Sequence, residues 1–346
     1  MTVLVSIHSG FRMWTIPAES VDWLRAQFPD HRFLHARNDQ EGLQLIAEAD
    51  AAFSGYVHPA ELQVARRLRW IHTPSAGVGH MLYPDMVASP VIMTNSRGLS
   101  AETIAEHVLA LVFALFRRLP LAFERQAQRT WAQDEMVAHA TAGVPDVPAM
   151  AADRHNALPA NRTIAGAGVL VIGLCGIGRA AAGRFAALGA TVTGVRRQAD
   201  APLPPGVTAV HSPSALHGLL PTADVVVLTA PQTAATRNLI GAAELALMKE
   251  TAVIVNVSRG ALIDEDALAD ALRRRVIGAA ALDVFRDEPL DAGHRLWTVP
   301  NLLITPHSAG FRSDHWQAAT ELFAENLRRF DQGEPLINVV DKAEGY

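Results

Sequence analysis

The stretch VLVIGLCGIG at residues 169–178 decides the fold of this chain. Its first four residues are apolar, which predicts a buried strand, and a helical pattern follows at residues 179–188. Gly173, Gly176 and Gly178 lie in the turn between the two elements. A glycine-rich turn of this kind lets backbone N–H groups approach a pyrophosphate at the start of a helix. The stretch therefore predicts a dinucleotide-binding βα unit.

The glycine spacing departs from the usual pattern at one position. In the common arrangement G-x-G-x-x-G, the second glycine would fall at position 175, where this chain has Cys175. Gly176 follows it directly. Either Cys175 is tolerated beside the phosphates, or Gly176 supplies the close approach of the backbone. The sequence leaves both possibilities open, and with them the effect of Cys175 on the cofactor affinity.

Strand-like and helix-like segments alternate along most of the chain, and this alternation predicts the fold class. It is typical of parallel sheets that are covered by helices on both faces. We therefore predict an α/β protein with two doubly wound parallel sheets. The predicted strands are residues 3–7, 51–54, 70–72 and 91–94 in the first sheet, and residues 168–172, 191–195, 207–210, 225–229, 253–257, 279–283 and 302–305 in the second.

Length, charge and cysteine content limit the class of protein. A chain of 346 residues exceeds the size at which one hydrophobic core keeps growing, so we expect two domains. Because 30 basic and 35 acidic residues leave a net charge of −5, we expect no nucleic-acid partner and no attraction to an anionic membrane. The single cysteine and the lack of an N-terminal signal pattern favour a reducing, cytoplasmic location.

The residues between the two predicted sheets form two different segments. Residues 100–118 predict a long helix with Ser100 as its N-cap, apolar nearly all round and therefore buried between domains or subunits. Residues 130–162 show weak periodicity, which predicts a lid, an interface arm or a disordered insertion. His139 and His155 lie there at a spacing that matches no known metal site, so we predict no bound metal.

Two arginines, Arg196 and Arg197, follow the second strand of the predicted nucleotide-binding sheet. At this point an acidic side chain would bind the ribose 2′-hydroxyl of NAD, whereas an arginine accommodates the 2′-phosphate of NADP. We therefore predict NADP as the cofactor, with NAD as the alternative. The other interpretation of the pair is a solvated basic strand end without a ligand.

Three segments further along the chain carry the groups that chemistry would need. They read NVSRG at 256–260, LDVFRDEP at 282–289 and TPHSA at 305–309, and each follows a predicted strand, where open α/β sheets place ligands. Arg259 suits a substrate carboxylate, because its guanidinium binds such a group in two places. His307 suits proton transfer to a carbonyl, and Glu288 would orient the imidazole and stabilise its protonated form.

Each of these three side chains also has a plain structural interpretation. Arg259 could cap a strand, Glu288 could pair with Arg286, and His307 could be a core histidine. Their position at consecutive strand ends makes coincidence improbable, because such groups cluster at functional sites.

These segments closely resemble the D-isomer-specific 2-hydroxyacid dehydrogenase family, and in particular its glyoxylate and hydroxypyruvate reductases. The resemblance covers most of the chain, and the order and spacing of the matching blocks are highly specific. The blocks are residues 74–78, 95–119, 173–178, 231–237, 254–268, 281–290 and 301–309.

The resemblance implies roles for particular residues. Arg259, Glu288 and His307 match the catalytic residues of the family, and Arg259 and the backbone amides of Ala76 and Gly77 match its site for the substrate carboxylate. The cofactor contacts expected from the motif and the resemblance are Gly173, Gly176, Ile177, Arg196, Arg197, Ala230, Pro231, Thr236, Val257, Ser258, Thr103 and Asp283, the last holding the nicotinamide carboxamide.

The resemblance also implies a domain organisation. Residues 1–99 and 309–346 would form a discontinuous, flavodoxin-like substrate domain, and residues 100–308 would form an inserted Rossmann domain for NAD(P). The cleft would close over the substrate. A homodimer through the helix at 100–118 and the segment after it is usual in the family.

Departures from the family pattern leave the catalytic residues intact. Cys175 replaces a family glycine, Gly79 replaces an aspartate that many members have, and the segment 130–162 is longer than usual. Cys175 could alter the cofactor affinity, and Gly79 could alter the geometry of the substrate loop. The longer segment could alter the dimer arm or the cleft entrance.

The expected activity is hydride transfer between a nicotinamide and a small 2-oxo or 2-hydroxy acid, such as glyoxylate or hydroxypyruvate. The sequence does not decide which 2-oxo acid is used. The alternative from another class is a non-catalytic NAD(P)-binding regulator or corepressor on the same scaffold. Formate dehydrogenase is disfavoured because that enzyme typically has glutamine at the position of Glu288.

Overall fold

Two compact units make up the part of the chain that the structure describes. The computed structural model describes residues 1–10, 12–133, 135–136 and 162–345. One unit contains residues 1–99 and 312–346, and the other contains residues 100–311. Most of the segment 130–162, including His139 and His155, lies outside the described residues, so its role stays a prediction.

The N-terminal residues form a parallel sheet of five strands. The strands are β1 (Thr2–Ser6), β2 (Arg32–Ala36), β3 (Ala51–Ser54), β4 (Trp70–Thr73) and β5 (Ile92–Asn95). The helices between them are α1 (Ala18–Gln27), α2 (Asp39–Leu45), α3 (Pro59–Val64) and α4 (Pro84–Ala88). The strand order is β2-β1-β3-β4-β5, the flavodoxin-like order, with a reversal between β1 and β3.

The strand β2 is the one that the sequence patterns miss. It lies at the edge of the sheet and pairs with β1. Its sequence RFLHA includes a buried Phe33, but Arg32 is exposed and His35 only half-buried. An edge strand of this kind lacks the continuous apolar run that marks a strand buried on both faces. Pairing with β1 therefore decides its structure.

The helix predicted at 100–118 is present in the structure as α5, and a second helix follows it. α5 (Ala101–Phe116) ends just before Arg118, which has a left-handed φ of +55°, and α6 (Leu119–Ala127) has Pro120 in its first turn. Proline cannot donate the N–H that would continue the preceding helix. Ser100 takes the predicted N-cap position, but its hydroxyl donates to the carbonyl of Gly310 at 3.1 Å and makes no capping bond.

The second unit is built on a parallel sheet of seven strands. The strands are β6 (Gly168–Ile172), β7 (Thr191–Val195), β8 (Val207–His211), β9 (Val225–Leu228), β10 (Val253–Asn256), β11 (Ala279–Leu282) and β12 (Leu302–Ile304). The helices are α7 (Gly176–Ala187), α8 (Leu216–Leu219), α9 (Ala242–Leu247) and α10 (Glu265–Arg273). The order β12-β11-β10-β9-β6-β7-β8 is that of a Rossmann sheet, with its reversal between β6 and β9. The two sheets confirm the predicted fold class.

The last helix, α11 (His315–Gln332), completes the core of the first unit. Phe323 is fully buried on its apolar face and stacks on Phe53 and Trp70, with ring centroids 4.5 and 5.2 Å apart. Such stacking adds to the stabilisation by buried area. α11 is the longest helix among the described residues, and neither it nor another described helix is both long and apolar enough to cross a membrane.

Candidate active site

The glycine turn after β6 has the close packing that a nucleotide site requires. Gly173 has a φ of +100°, and a β-carbon there would lie 2.6 Å from the backbone nitrogen of Ala230. A β-carbon at Gly178 would overlap the carbonyl of Gly173 and lie 2.7 Å from Thr229 Oγ1. Both positions therefore require glycine. They join the ends of β6 and β9 to the start of α7 at the reversal of strand order, where such sheets bind ligands.

Cys175 does not adopt a backbone conformation that would require glycine. It directly precedes α7, its side chain is exposed, and its φ of −82° is one that any residue adopts. Its carbonyl accepts the N–H of Arg179 at 2.9 Å, as in an ordinary first helical turn. Gly176 and Ile177 begin the helix, so their N–H groups belong to the end whose dipole favours a pyrophosphate. The backbone at this point is thus compatible with a side chain at position 175.

The two arginines after β7 differ in their surroundings. The Arg196 guanidinium donates to the carbonyls of Ala201 and Pro202, at 3.0 Å for the second, so this side chain folds onto its own loop. Arg197 is exposed. Both stand where the adenosine ribose of a dinucleotide lies on a Rossmann sheet. The geometry therefore leaves room for the predicted contact, which stays a prediction.

Hydroxyl groups hold the loop after β9. Thr236 Oγ1 donates to the carbonyl of Pro231 at 2.7 Å and accepts the N–H of Thr233 at 2.8 Å. The Ser258 hydroxyl donates to the carbonyl of Ala230. Ala230 and Pro231, which are predicted cofactor contacts, are thereby fixed beside the glycine turn. Thr236 and Ser258 act at least as supports of this backbone.

Asn256 shapes the loop that carries Arg259. It ends β10 and is fully buried; its Nδ2 donates to the carbonyl of Arg259 at 2.9 Å, and its Oδ1 accepts the N–H of Ser258 at 3.1 Å. Gly260 lies against the backbone of Phe285, with no space for a β-carbon. The loop is thus fixed from both sides, by a buried amide and by backbone contact.

Arg259 is a half-buried cation. Its Nη1 donates to the carbonyl of Ser258 at 2.7 Å. Burial lowers the pKa of Arg259, and the negative charge of Glu288 opposes this change. A guanidinium stays protonated near neutral pH because its ordinary pKa lies far above that range. The loop therefore presents a fixed positive charge.

Glu288 and His307 form a hydrogen-bonded pair. His307 Nδ1 donates to Glu288 Oε2 at 2.6 Å, and Glu288 Oε1 accepts the N–H of Phe285 at 2.8 Å. Both oxygens of the carboxylate are engaged, which fixes the orientation of the imidazole. Because Nδ1 is occupied, Nε2 is the ring nitrogen left for proton exchange. The His307 side chain is 53% exposed, so a substrate can reach it.

The buried carboxylate of Asp283 holds the turn that carries His307. It is 1% exposed and accepts the Thr305 hydroxyl at 2.6 Å, the Ser308 N–H at 2.9 Å and the Ala309 N–H at 3.0 Å. The Asp283 carbonyl accepts the N–H of His307 at 2.8 Å. A carboxylate is stable in such a place only with these donors. Asp283 therefore sets the backbone of this turn, a role separate from its predicted contact with the nicotinamide.

The remaining predicted cofactor residues lie in the same unit. Thr103 is half-buried in the first turn of α5, a helix tied to α7 through Glu102 and Glu106, which both pair with Arg184. Val257 is buried and follows β10 directly. All of the predicted cofactor contacts thus belong to α5, the start of α7 or the segments that follow β6, β7, β9, β10 and β11.

Ala76 and Gly77 lie in the first unit, in the loop after β4. The neighbouring strand β5 holds this loop: Asn95, which is buried, donates from Nδ2 to the carbonyl of Ala76 at 2.8 Å. The N–H of Ser96 donates to the carbonyl of Ser75 at 3.1 Å. The loop backbone is therefore fixed, as a site made of backbone amides must be.

A cavity of about 600 Å³ lies beside this loop within the first unit. It opens at the carboxyl ends of the strands, where open α/β sheets bind ligands, and its walls include Tyr56, Pro74 and Ser75. A β-carbon at Gly79 would meet open space. A lack of room therefore does not explain why this chain has glycine where many family members have aspartate.

Three residues that support the site were not among the predicted ones. Asn256, Asn95 and Thr305 each stand at or directly after a strand end, next to a predicted site residue. A polar residue at the end of a buried strand is the signal that the sequence contained. The partners of Asn256 lie in its own loop, whereas Asn95 and Thr305 bond to Ala76 and Asp283, which only the fold brings near.

The fold and the site together define a class of protein. A glycine turn at the reversal of a Rossmann sheet, with an arginine and a glutamate-paired histidine at later strand ends, is the arrangement of a nicotinamide-dependent oxidoreductase. The family model for the D-isomer specific 2-hydroxyacid dehydrogenase, NAD binding domain, matches residues 109–309. The chain belongs to this family and carries its NAD-binding domain, so its cofactor is a nicotinamide dinucleotide.

Known relatives agree with this membership. The chain is 30% identical to the glyoxylate reductase of Aeropyrum pernix over 303 residues, which cover 87% of this chain and 85% of that protein. It is 33% identical to glyoxylate/hydroxypyruvate reductase B of Pectobacterium atrosepticum over 261 residues, or 75% of each chain. The solved D-isomer specific 2-hydroxyacid dehydrogenase from Xanthobacter autotrophicus Py2, in complex with NADPH and MES, has a TM-score of 0.78 at 29% identity and covers 100% of this chain and 99% of that one.

The role of Asn256 can be tested by Asn256→Ala. Removing the amide leaves the Ser258 N–H and the Arg259 carbonyl without their partner, which costs about 1–3 kcal/mol of stability. Because the same loop carries Arg259, we expect kcat/KM for a 2-oxo acid to fall about tenfold, or roughly 1.4 kcal/mol. Denaturant unfolding and steady-state kinetics measure the two effects.

Asn326→Ala is the matched control for this variant. Asn326 is also fully buried and makes the same kind of contacts, donating to the carbonyl and accepting the N–H of Ile337 at 3.0 and 2.7 Å. It lies in the other unit, on α11. A similar loss of stability with unchanged kinetics is expected there. Equal kinetic losses in both variants would argue against a specific role for Asn256.

Proposed function

We propose that this protein reduces a small 2-oxo acid, or oxidises the corresponding 2-hydroxy acid, with NAD(P) as the hydride carrier. The observation that carries the proposal is the 2.6 Å pair of His307 and Glu288, in the same unit as the half-buried cation Arg259. A 2-oxo acid needs a cation for its carboxylate and a proton donor for its carbonyl. The bound nicotinamide supplies the hydride for reduction and accepts it in the reverse direction.

His307 is proposed as the acid and base of the reaction. In reduction, protonated Nε2 gives its proton to the carbonyl oxygen of the substrate, which becomes the hydroxyl group of the product. In oxidation, neutral Nε2 takes that proton back. Throughout, Nδ1 keeps its proton and its bond to Glu288 Oε2, and the glutamate charge stabilises the imidazolium.

Arg259 and the loop at Ala76 and Gly77 are proposed to bind the substrate carboxylate. The guanidinium offers two parallel N–H donors, which match the two oxygens of a carboxylate. The backbone amides of Ala76 and Gly77 would add further donors. Their support is the family match of this loop and its attachment to Asn95.

Glyoxylate and hydroxypyruvate are the substrates that we propose to test first. Two relatives of this chain, at 30% and 33% identity, are a glyoxylate reductase and a glyoxylate/hydroxypyruvate reductase. The alternative, a non-catalytic NAD(P)-binding regulator, would need no arginine and no glutamate-oriented histidine. No observation on this chain favours it.

Substitution of His307 and Arg259 tests the proposed mechanism. We expect His307→Gln to lower kcat by about 10²–10⁴-fold, because the proton donor is lost, while NADPH binding measured by fluorescence stays unchanged. We expect Arg259→Ala to lower kcat/KM by about 10³-fold, or roughly 4 kcal/mol, because the carboxylate loses its cation.

His217→Gln is the matched control. His217 also pairs with a carboxylate, Glu244, at 2.8 Å in the same unit, but it lies on the surface. Its kinetics should equal those of the wild type. Wild-type turnover of both glyoxylate and hydroxypyruvate by His307→Gln or Arg259→Ala would refute the proposed roles.

We propose NADP as the preferred cofactor. Arg196 and Arg197 stand where a 2′-phosphate would need positive charge, and the solved relative from Xanthobacter autotrophicus holds NADPH. Arg197 is exposed to solvent, where a bound 2′-phosphate could reach it.

The preference is measured by kcat/KM with NADPH and with NADH at saturating 2-oxo acid. We expect a higher value with NADPH, and we expect Arg197→Ala to reduce it about tenfold, or roughly 1.4 kcal/mol, while the value with NADH is unchanged. Arg274→Ala removes an exposed arginine from the end of α10 in the same unit and should change neither value. A clear preference of the wild type for NADH would overturn the proposal.

The assembly and the location of the protein are also proposals. A homodimer is supported by large apolar side chains exposed on α5, α6 and the residues after them, namely Phe113, Phe123 and Trp131. Sedimentation should give twice the chain mass of 37.2 kDa, and Phe123→Asp should shift it toward one chain mass, whereas Leu43→Asp on α2 should not. A monomeric wild type would refute the dimer.

A cytoplasmic location stays a prediction that cell fractionation can test.

A further inference from the structure

His107 is a side chain beside the candidate active site that the mechanism above does not use. It lies on α5, and its imidazole reaches the segment that follows β12. His107 Nε2 is 3.1 Å from Thr305 Oγ1 and 3.7 Å from Asp283 Oδ1. Thr305 precedes His307 by only two residues. A helix is thus joined by a polar contact to the turn that carries the proposed acid.

The direction of these hydrogen bonds follows from the chemistry of the groups. A carboxylate only accepts, so the single hydroxyl proton of Thr305 lies on its 2.6 Å bond to Asp283. Thr305 Oγ1 can then only accept from His107. His107 must therefore carry a proton on Nε2, and the chain of donation runs from His107 to Thr305 to Asp283.

The same series of hydrogen bonds continues to the backbone around His307. The Asp283 carboxylate also accepts the N–H groups of Ser308 and Ala309, and the Asp283 carbonyl accepts the N–H of His307. His307 has a φ of +51°, a conformation that residues other than glycine rarely adopt and that persists only when surrounding contacts hold it. Each donor to Asp283 thus helps to keep this turn in place.

We propose that His107 is a positioning residue for His307, which it serves by donating from Nε2 to Thr305 and thereby fixing the Asp283 carboxylate. The proposal rests on the proposed function, since only a catalytic His307 gives the positioning a consequence for turnover. Without the imidazole, Thr305 loses its donor and a space opens between α5 and the turn. The hydroxyl is then free to rotate away from Asp283, and the turn loosens.

Four variants test the chain of contacts kinetically. We expect His107→Ala to lower kcat about tenfold while KM for the 2-oxo acid and the NADPH dissociation constant change less than twofold. His107→Gln keeps an N–H donor at a similar reach and should recover most of kcat. Thr305→Val should resemble His107→Ala, and the double variant should be no worse than the worse single variant, because both changes break one chain.

Several results would overturn the proposal. A kcat of His107→Ala within twofold of the wild type would do so. So would a glutamine variant as impaired as the alanine variant, since the alanine loss would then reflect packing and not donation. Fully additive losses in the double variant would show that the two residues act separately. Melting temperatures are recorded for all four proteins. If His107→Ala unfolds, His107→Leu, which fills the space but has no donor, replaces it and should lose kcat where His107→Gln does not.

A second measurement does not depend on turnover. The proton on His307 Nδ1, in its short bond to Glu288, gives a downfield NMR resonance that is identified by its absence from His307→Gln. We expect this resonance to shift or broaden in His107→Ala and to return in His107→Gln. If the wild type turns over no 2-oxo acid but the resonance responds in this way, the proposed function fails and the positioning stands. If turnover is normal and the resonance is unchanged in His107→Ala, the positioning fails and the proposed function stands.

Discussion

The backbones of Gly173 and Ala230 lie so close together that a β-carbon at Gly173 would be only 2.6 Å from the Ala230 nitrogen. This contact joins the ends of β6 and β9, the two strands between which the order of the sheet reverses. It also sets the start of α7, where the amides of a first helical turn can meet a pyrophosphate. The rest of the candidate site lies at the same end of the sheet. Because all seven strands are parallel, the loops after β9, β10 and β11 leave the sheet on the side where the glycine turn lies.

Buried polar side chains then fix those loops. Asn256 holds the backbone around Arg259, and Asp283 holds the turn around His307, each through hydrogen bonds to backbone groups. Each such bond contributes only about 1 kcal/mol to folding, but an unpaired buried partner costs about 1–3 kcal/mol, so the arrangement resists partial loosening. The groups proposed to meet substrate are left more exposed than their supports. His307 is half exposed, whereas Asp283 and Asn256 are buried. Rigidity and access are thus divided between different residues.

The sequence predicted most of the second sheet and the order of its elements, because strands buried on both faces are continuous apolar runs that stand out in a sequence. It also predicted the helix that became α5, but it missed β2, an edge strand with a polar face. At β2 a tertiary contact overrules the local pattern. The pairing of β2 with β1 is not readable from local propensity.

The candidate site shows the same division. Arg259, Glu288 and His307 were identified from the sequence because each stands at the end of a predicted strand, and parallel strand ends converge. The family, the fold class and the use of a nicotinamide cofactor were likewise contained in the sequence, in the glycine turn and the three segments after it. Only the tertiary structure decided that Glu288 binds Nδ1 of His307, that Asp283 supports the turn and that His107 reaches Thr305. These are contacts between segments far apart in the chain, and their distances depend on how helices and loops pack, which the order of residues alone does not specify.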